Sequence, residues 1–415
     1  MTLSSLSLLV AVFGMIAAVG SAEPVRELKF SAPPLRPIPR AVGPLTPEKK
    51  LQLEAFAKKT VELLRDRDNY ALRQLADVES HANAIYDGLG FPPALEAGLK
   101  NDVRQQFRAP SAGLFDGTVK SNPSYIAFVR LGEEQGVTYA RFLEAYGWCI
   151  FDYFDLFPVA TSEGTFLWVD IRTSASWERV IEGMRRTHFA RAAIRGDLGR
   201  KAAAGVTAAD KLFLDFGEKM PPLSEDTVIE VRKEIVRYLD EHRSVVDRNR
   251  RLSLMRIDAM SSASSPKEYA AAMDQFVERF PDDRTVPSLI FWSRFVSGRW
   301  DEAFAAIEGL ESAYGPDPYL DTLRASVRGE QKRFQESAEF AKKGLASYPD
   351  APFFHILLME ASSALEDYAV VEREIKLLME TFRMNPSASI LKENPRLKDF
   401  TASEAGRNFL RTLPP

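Results

Sequence analysis

Three aromatic residues constrain this chain more than any other feature. Trp300 in SGRWDEAFAAI, Phe334 in QKRFQESAEFA and Tyr368 in LEDYAVVEREI are separated by 34 and 34 residues, and a weaker copy, Tyr269 in SPKEYAAAMDQF, stands 31 residues before the first. Prolines 281, 316, 349 and 386 trail these aromatics by 12, 16, 15 and 18 residues. The order is the same each time: helix, short polar turn, aromatic, helix, proline. That is one supersecondary unit of about 34 residues. A helix pair cannot bury its apolar face alone, so such units must stack, and the stack leaves an extended surface suited to peptides or helices.

The punctuation between units reads locally. In GLASYPDAPFF, Pro349 cannot continue the preceding helix, Tyr348 is placed to tuck back on it, and Asp350 is placed to cap a helix beginning near Ala351. The pattern resembles the tetratricopeptide repeat, in which an aromatic after the inter-helix turn packs between helices and a small residue follows three positions later. Ala303 and Ser337 fill the small position, Val371 departs from it, and Ala325 supplies a small residue in the first helix of one unit. The resemblance implies repeats over residues 250–386, with Trp300, Phe334 and Tyr368 as inter-helix anchors and 387–415 as a terminal cap. Phe291, Trp292, Phe295, Phe353 and Phe354 are candidates to line a protein-binding groove, although helical spacing ordinarily reports core packing.

Ahead of the repeats, the first 22 residues carry no charged side chain and pair an apolar run with Gly20, Ser21 and Ala22. This reads as a secretory leader cut after Ala22, and its run falls short of the roughly 18–20 residues a membrane span needs. The expectation is an exported protein, periplasmic or extracellular, with no stable span once the leader is removed. Residues 23–47 hold seven prolines and read as an extended tether. The single Cys149 permits no intramolecular disulfide and lies in the apolar YGWCIFDYF, the setting of a buried inert thiol.

Between tether and repeats the period changes. Helical spacing runs from Leu45, from about Ala71 to Leu89, and from Pro93 to Phe107, with Thr46 and Pro47 as an N-terminal signal. Four period-two runs follow, SYIAFVRL, VTYARFLEAY, CIFDYFDLFPV and TFLWVDIRT, separated by GEEQG, GW and ATSEG, which predicts an antiparallel meander. A helix over Trp177–Ile194 closes on Gly196, and from Glu225 another carries Val228, Val231, Ile235 and Leu239 as its buried stripe. Helices then curved meander resembles the cystatin-like cone of the nuclear transport factor two superfamily. Phe151 to Phe154 and Asp170 to Ser174 are similar to NYHDF and DIYVYTSGE segments in exported bacterial proteins that join such a sheet to tetratricopeptide-like helices. The resemblance implies an α+β cone over 48–195, a helical connector over 196–249 and all-α repeats thereafter; it implies a fold far more than an activity.

No constellation in the sequence carries a reaction. Asp152 and Asp170 are the candidates for an acid/base pair if they face one another across adjacent strands, against pairing with Arg130, Arg141 or Arg172. Tyr139, Tyr153 and Trp168 are candidates, with those two aspartates, to line a small-ligand pocket, against filling the sheet-to-helix core. Histidines 81, 188, 242 and 355 lack paired metal spacing, and no phosphate-cradling glycine motif or nucleophile elbow occurs. A net charge of -4, from 54 basic and 58 acidic side chains, gives no field to attract nucleic acid. The basic MRRTHFARAAIRGDLGRK is read as a solvated helix face. The expectation is a non-catalytic, cofactor-free scaffold for a protein or peptide partner; the alternative is a small-ligand-binding or weakly catalytic cone supported by the helices.

Overall fold

The computed structural model describes residues 42–413, apart from 109–112, 116–117, 120–122, 147–150, 174–177, 199–201, 203, 220–227 and 385–386. The leader, the tether up to residue 41, Cys149 and Pro386 lie outside the described residues. Two compact units emerge, one from residues 42–144 and 151–286, the other chiefly from 287–413. The first is helices around a curved antiparallel sheet, and the second is all helical among the described residues.

Helix α1 (Pro47–Asp66) begins where the sequence places it: the Thr46 hydroxyl accepts from Lys49 N at 3.4 Å, and Arg67, left-handed at φ 55°, ends it. Its stripe of Leu53, Ala57, Thr60, Val61 and Leu64 is buried. The helix expected over 71–89 is two, α2 (Asn69–Gln74) and α3 (Val78–Tyr86), capped by Asp68 and Asp77. The sheet imposes the break. Trp168 N donates to Leu75 O at 2.7 Å and Asp77 N donates to Trp168 O at 2.8 Å, so residues 75–77 leave helical geometry to pair with a strand. Helix α4 spans Pro93–Arg108.

The sheet runs β1 (Tyr125–Glu134), β2 (Val137–Ala145), β3 (Phe151–Ala160), β4 (Phe166–Thr173) and the two-residue β5 (Glu178–Arg179), in sequential order. Strand β1 extends three residues further than its apolar run, because Gln135 (φ 51°) and Gly136 (φ 75°) alone make the hairpin turn. One face packs Phe142, Phe154, Leu156 and Trp168 against α1; the other packs Phe157, Val159 and Val169 against α3, α4 and the following helix. Strands β3 and β4 pair with Leu156 opposite Ile171, Phe157 opposite Asp170 and Pro158 opposite Trp168, so Val169 is an extra residue at a bulge. Without it, Asp170 would point with Trp168 into the apolar core. With it, Asp170 turns to the other face. Pro158, which lacks an N–H, stands at the same irregularity.

Helices α5 (Val180–Arg195), α6 (Ala208–Lys219), α7 (Val228–Glu241), α8 (Arg243–Val246), α9 (Arg250–Ala263) and α10 (Pro266–Arg279) complete the first unit. Gly196 (φ 85°) closes α5 as its position predicts. The basic stretch is not simply a solvated face: Arg185 is buried, and its Nη1 donates to the carbonyls of Ala84, Ile85 and Asp87 at 2.8, 3.0 and 2.9 Å, closing the C-terminal end of α3. Arg232 does the same for α9, donating to Asp258 O at 3.3 Å and to the hydroxyls of Ser261 and Ser262 at 2.6 and 2.9 Å. Hence the buried stripe of α7 keeps Val231 and Leu239 but also takes Arg232 and Tyr238.

The second unit is built from α11 (Val286–Val296), α12 (Trp300–Tyr314), α13 (Asp321–Glu330), α14 (Phe334–Ser347), α15 (Pro352–Ala364) and α16 (Tyr368–Glu380), then short α17 (Ala388–Glu393), α18 (Lys398–Ala402) and α19 (Glu404–Leu410). No described helix is long and apolar enough to cross a membrane.

Candidate functional site

Charge gathers on the sheet face that also carries Phe157. The Asp155 carboxylate accepts from Arg141 Nε at 2.7 Å and Nη2 at 3.0 Å, and from Arg172 Nε at 3.1 Å and Nη2 at 2.7 Å. Arg172 continues to Glu134, which also pairs with Arg284. Arg141 and Asp155 are each 3 % exposed. Burial alone would favour the neutral forms of both arginines; the bonds to Asp155, and to Glu134 for Arg172, outweigh it and hold both guanidiniums above their ordinary range. Aromatic rings interleave the cations: Tyr139 lies 5.3 Å from both Arg141 and Arg172, and Phe157 lies 5.3 Å from Arg172 and 4.3 Å from Arg179. Gly132 makes room for this layer, since a Cβ there would lie 2.3 Å from Cζ of Tyr139.

Asp170 sits at the end of the layer, fully buried. Its Oδ2 accepts from Arg179 Nε at 2.6 Å, while Oδ1 accepts from Ile171 N at 2.9 Å and Ile181 N at 3.1 Å. Arg179 at the N-cap of α5 has no capping side chain of its own, so Asp170 caps that helix from β4. Glu182 in the first turn is raised above its ordinary range by burial and then by Asp170.

The sheet separates the two aspartates that the sequence puts forward as a pair. Asp170 faces Phe157, and Asp152 stands five residues up the strand with the opposite parity, so about 16 Å of strand divides them and they project from opposite faces. Asp152 accepts from Tyr153 N at 2.8 Å. The carboxylate that Arg141 and Arg172 share is Asp155. Its signal was its period, two after Tyr153 and two before Phe157 on the face that the arginines also occupy. Trp168 is fully buried, donating from Nε1 to the Thr60 hydroxyl at 3.0 Å, stacked on Phe56 at 4.8 Å and edge-on to Phe142 at 6.0 Å. Tyr153 is buried under Arg141, and Tyr139 is half-buried. Trp168 therefore fills the α1 side of the sheet, and Tyr139 and Tyr153 belong to the charged layer on the other side.

Two histidines stand behind that layer. His81 Nδ1 is 2.7 Å from the Val169 carbonyl, and burial lowers its affinity for a proton. His188 Nε2 is 3.3 Å from the Tyr86 hydroxyl; burial brings His188 down to about 4 and takes Tyr86 up to about 12, so a neutral ring and a protonated phenol share this hydrogen bond.

In the second unit the 34-residue ruler acquires geometry. Trp300, Phe334 and Tyr368 are each the first residue of α12, α14 and α16. Two positions earlier stand Gly298, Lys332 and Glu366, all left-handed, at φ 72°, 60° and 59°. The next amide closes the same bond in each turn: Arg299 N to Arg294 O at 2.9 Å, Arg333 N to Arg328 O at 2.8 Å and Asp367 N to Ser362 O at 2.9 Å. These are Schellman closures, repeated in register. Ala303, Ser337 and Val371 are all buried at the small position. The Tyr269 pair, α9 and α10, lacks the left-handed residue, because Ser264 is extended there, and it falls in the first unit.

The three ruler aromatics are half-buried, Trp300 edge-on to Phe295 at 5.2 Å and Tyr368 tilted against Phe400 at 5.8 Å. Of the candidate groove residues, Phe291, Phe353 and Phe354 are buried and unavailable to a partner, while Trp292 and Phe295 keep partial exposure. Tyr348 reaches past the helix it follows to the turn that opens α13, its hydroxyl donating to Asp317 Oδ1 at 2.7 Å and its ring edge-on to Tyr319 at 5.6 Å. Asp350 is not the cap of α15. Ala351 holds that position without a side-chain bond, and Pro352 at the first helical position supplies the start. Comparison with protein-family models, curated proteins and solved structures gave no match.

Proposed function

We propose that this chain is an exported, non-catalytic protein-interaction scaffold, in which tetratricopeptide-like helix pairs present the binding surface and a cystatin-like sheet domain is accessory. The observation that carries this reading is the threefold recurrence, at 34-residue spacing, of a left-handed turn residue, an aromatic helix start and a buried residue three later. Repetition of one unit in one register favours a surface read by an extended partner. The sheet domain offers the competing small-ligand reading little support: Trp168 fills its interior, and the Asp155 and Asp170 oxygens are committed to arginines and backbone amides.

Crosslinking with mass spectrometry on the mature protein in its native envelope tests the proposal. The expected result is one partner protein whose crosslinks concentrate on residues 287–386. A co-purified small molecule mapping near Asp152 and Asp170, with no protein on the helix pairs, would replace this reading by the ligand-binding one.

A further inference from the structure

The first helices of the last two pairs, α13 and α15, carry a carboxylate pair that the chain itself occupies. Arg396 Nη1 donates to Glu360 Oε2 at 3.1 Å, and its Nη2 pairs with Glu330. Asn394 Nδ2 donates to Glu360 Oε1 at 3.3 Å, and Phe400 N reaches the Ser363 hydroxyl at 3.4 Å. Leu397 and Phe400, three residues apart, are fully buried against the same region. A short stretch, Asn394 to Phe400, thus presents one guanidinium and two apolar anchors to a surface made by two repeated units.

We propose that Glu330 and Glu360 form an arginine-reading site on the helix pairs, and that Asn394–Phe400 is its resident occupant in cis, displaced by a partner peptide that presents an arginine followed by spaced apolar anchors. The inference rests on the scaffold reading and names the partner class for it. Two observations carry it. The clasp is reachable from solvent, with Arg396 at 26 % and Glu330 at 31 % exposure. The occupant is a three-residue turn, Pro395–Leu397, joined to the five-residue α18, elements too short to be stable alone, so their order is borrowed from the site. The turn and α18 lie mainly on α15 and α19 on α16, with the Phe400 ring bridging to Tyr368 and Phe409, so displacing the occupant uncovers α15 and breaks those two ring contacts. Burial raises the Glu360 carboxyl, and Arg396 pulls it the other way.

The test uses the full chain and a fluorescent peptide copying residues 392–402. Arg396→Ala releases the clasp, and its thermal midpoint and circular dichroism establish that it folds. Wild type is expected to show no saturable binding up to about 1 mM. Arg396→Ala is expected to bind the peptide at least about tenfold better, the worth of one charged hydrogen-bonded pair. Adding Glu360→Gln, or replacing arginine by alanine in the peptide, should remove that gain. A folded Arg396→Ala protein that binds no better than wild type overturns the proposal, as does a peptide that needs no arginine. If Arg396→Ala does not fold, hydrogen exchange on the wild type decides: amides of 394–402 opening ahead of α15 and α16 support the latch, and joint opening overturns it. A partner crosslinked to the helix pairs while the peptide fails sinks only the latch; absence of both sinks the scaffold as well.

Discussion

A Cβ atom on Gly344 would lie 1.9 Å from Cε1 of Phe354, so α14 presents bare backbone where the Phe354 ring of α15 crosses it. One unit earlier the same two positions hold Leu310 and Leu320, both buried. At these two positions the earlier unit places two medium side chains where the later one places none and one large one. Gly344→Ala should destabilise by on the order of 1–3 kcal/mol through overpacking, and Phe354→Ala by about 3–5 kcal/mol through cavity formation. The double variant should cost less than the sum, and strictly additive urea midpoints would show that the two do not meet.

Asp155 bridges two buried guanidiniums, so its removal leaves both without their shared anion. Asp155→Ala should cost about 3–5 kcal/mol, well above the median of about 0–1 for an exposed pair. Replacing Asp155 and Arg141 together by apolar residues of similar volume should recover part of the loss. Equal denaturation midpoints for Asp155→Ala and wild type would place the network outside the stability of the unit.

The three left-handed turn residues differ only in side chain, which permits a matched comparison. Gly298→Ala should cost about 1–2 kcal/mol, the penalty of a Cβ in that conformation. Lys332→Gly and Glu366→Gly should each gain about 0.5–1 kcal/mol, because relief of that penalty exceeds the added entropy of glycine in the unfolded chain. Thermal midpoints moving in the same direction for all three would contradict the shared turn geometry.

Glu134 and Glu182 should respond to acid with opposite signs. Burial pushes Glu134 up, but the bonds from Arg284 and Arg172 outweigh it and hold its carboxyl below the ordinary 4.5. Its contribution is present above that value and disappears as pH falls through the lower folded value. Glu182 is raised by burial, so it opposes folding at neutral pH and stops doing so as pH falls toward 4.5. Glu134→Gln should lower stability at neutral pH and flatten the acid limb, while Glu182→Gln should raise neutral stability. Urea midpoints collected from about pH 3 to 8 distinguish the two, and parallel shifts would refute the assignment.

The helical half was legible in the sequence because its information is local. Trp300, Phe334 and Tyr368 mark the helix starts to the residue, since a turn, an aromatic and a small residue are set by neighbours in the chain. The sheet was legible as strands but not as a site. Its contents depend on one extra residue, Val169, which reverses the alternation within TFLWVDIRT and turns Asp170 away from Trp168. No periodic pattern reveals a bulge. The same holds for Arg185 and Arg232, which read as solvated charge on amphipathic helices; Arg185 is buried against the carbonyl end of α3, about 100 residues away, and Arg232 against the Asp258 carbonyl and the Ser261 and Ser262 hydroxyls of α9. Glu330, Glu360 and Arg396 likewise belong to no common period, and only folding of the last segment back onto α15 brings them together.

The in-register turns have a consequence for how such a chain changes length. Excising residues 333–366 would join Lys332 to Asp367 and Tyr368, in the places now held by Arg333 and Phe334, and the seam would be a turn the protein already makes. Duplicating the same stretch would be equally seamless. Lengthening or shortening of the array is thus confined to whole units at the seam, and selection is left to act on the faces where each unit meets its neighbour, as at Gly344 and Phe354.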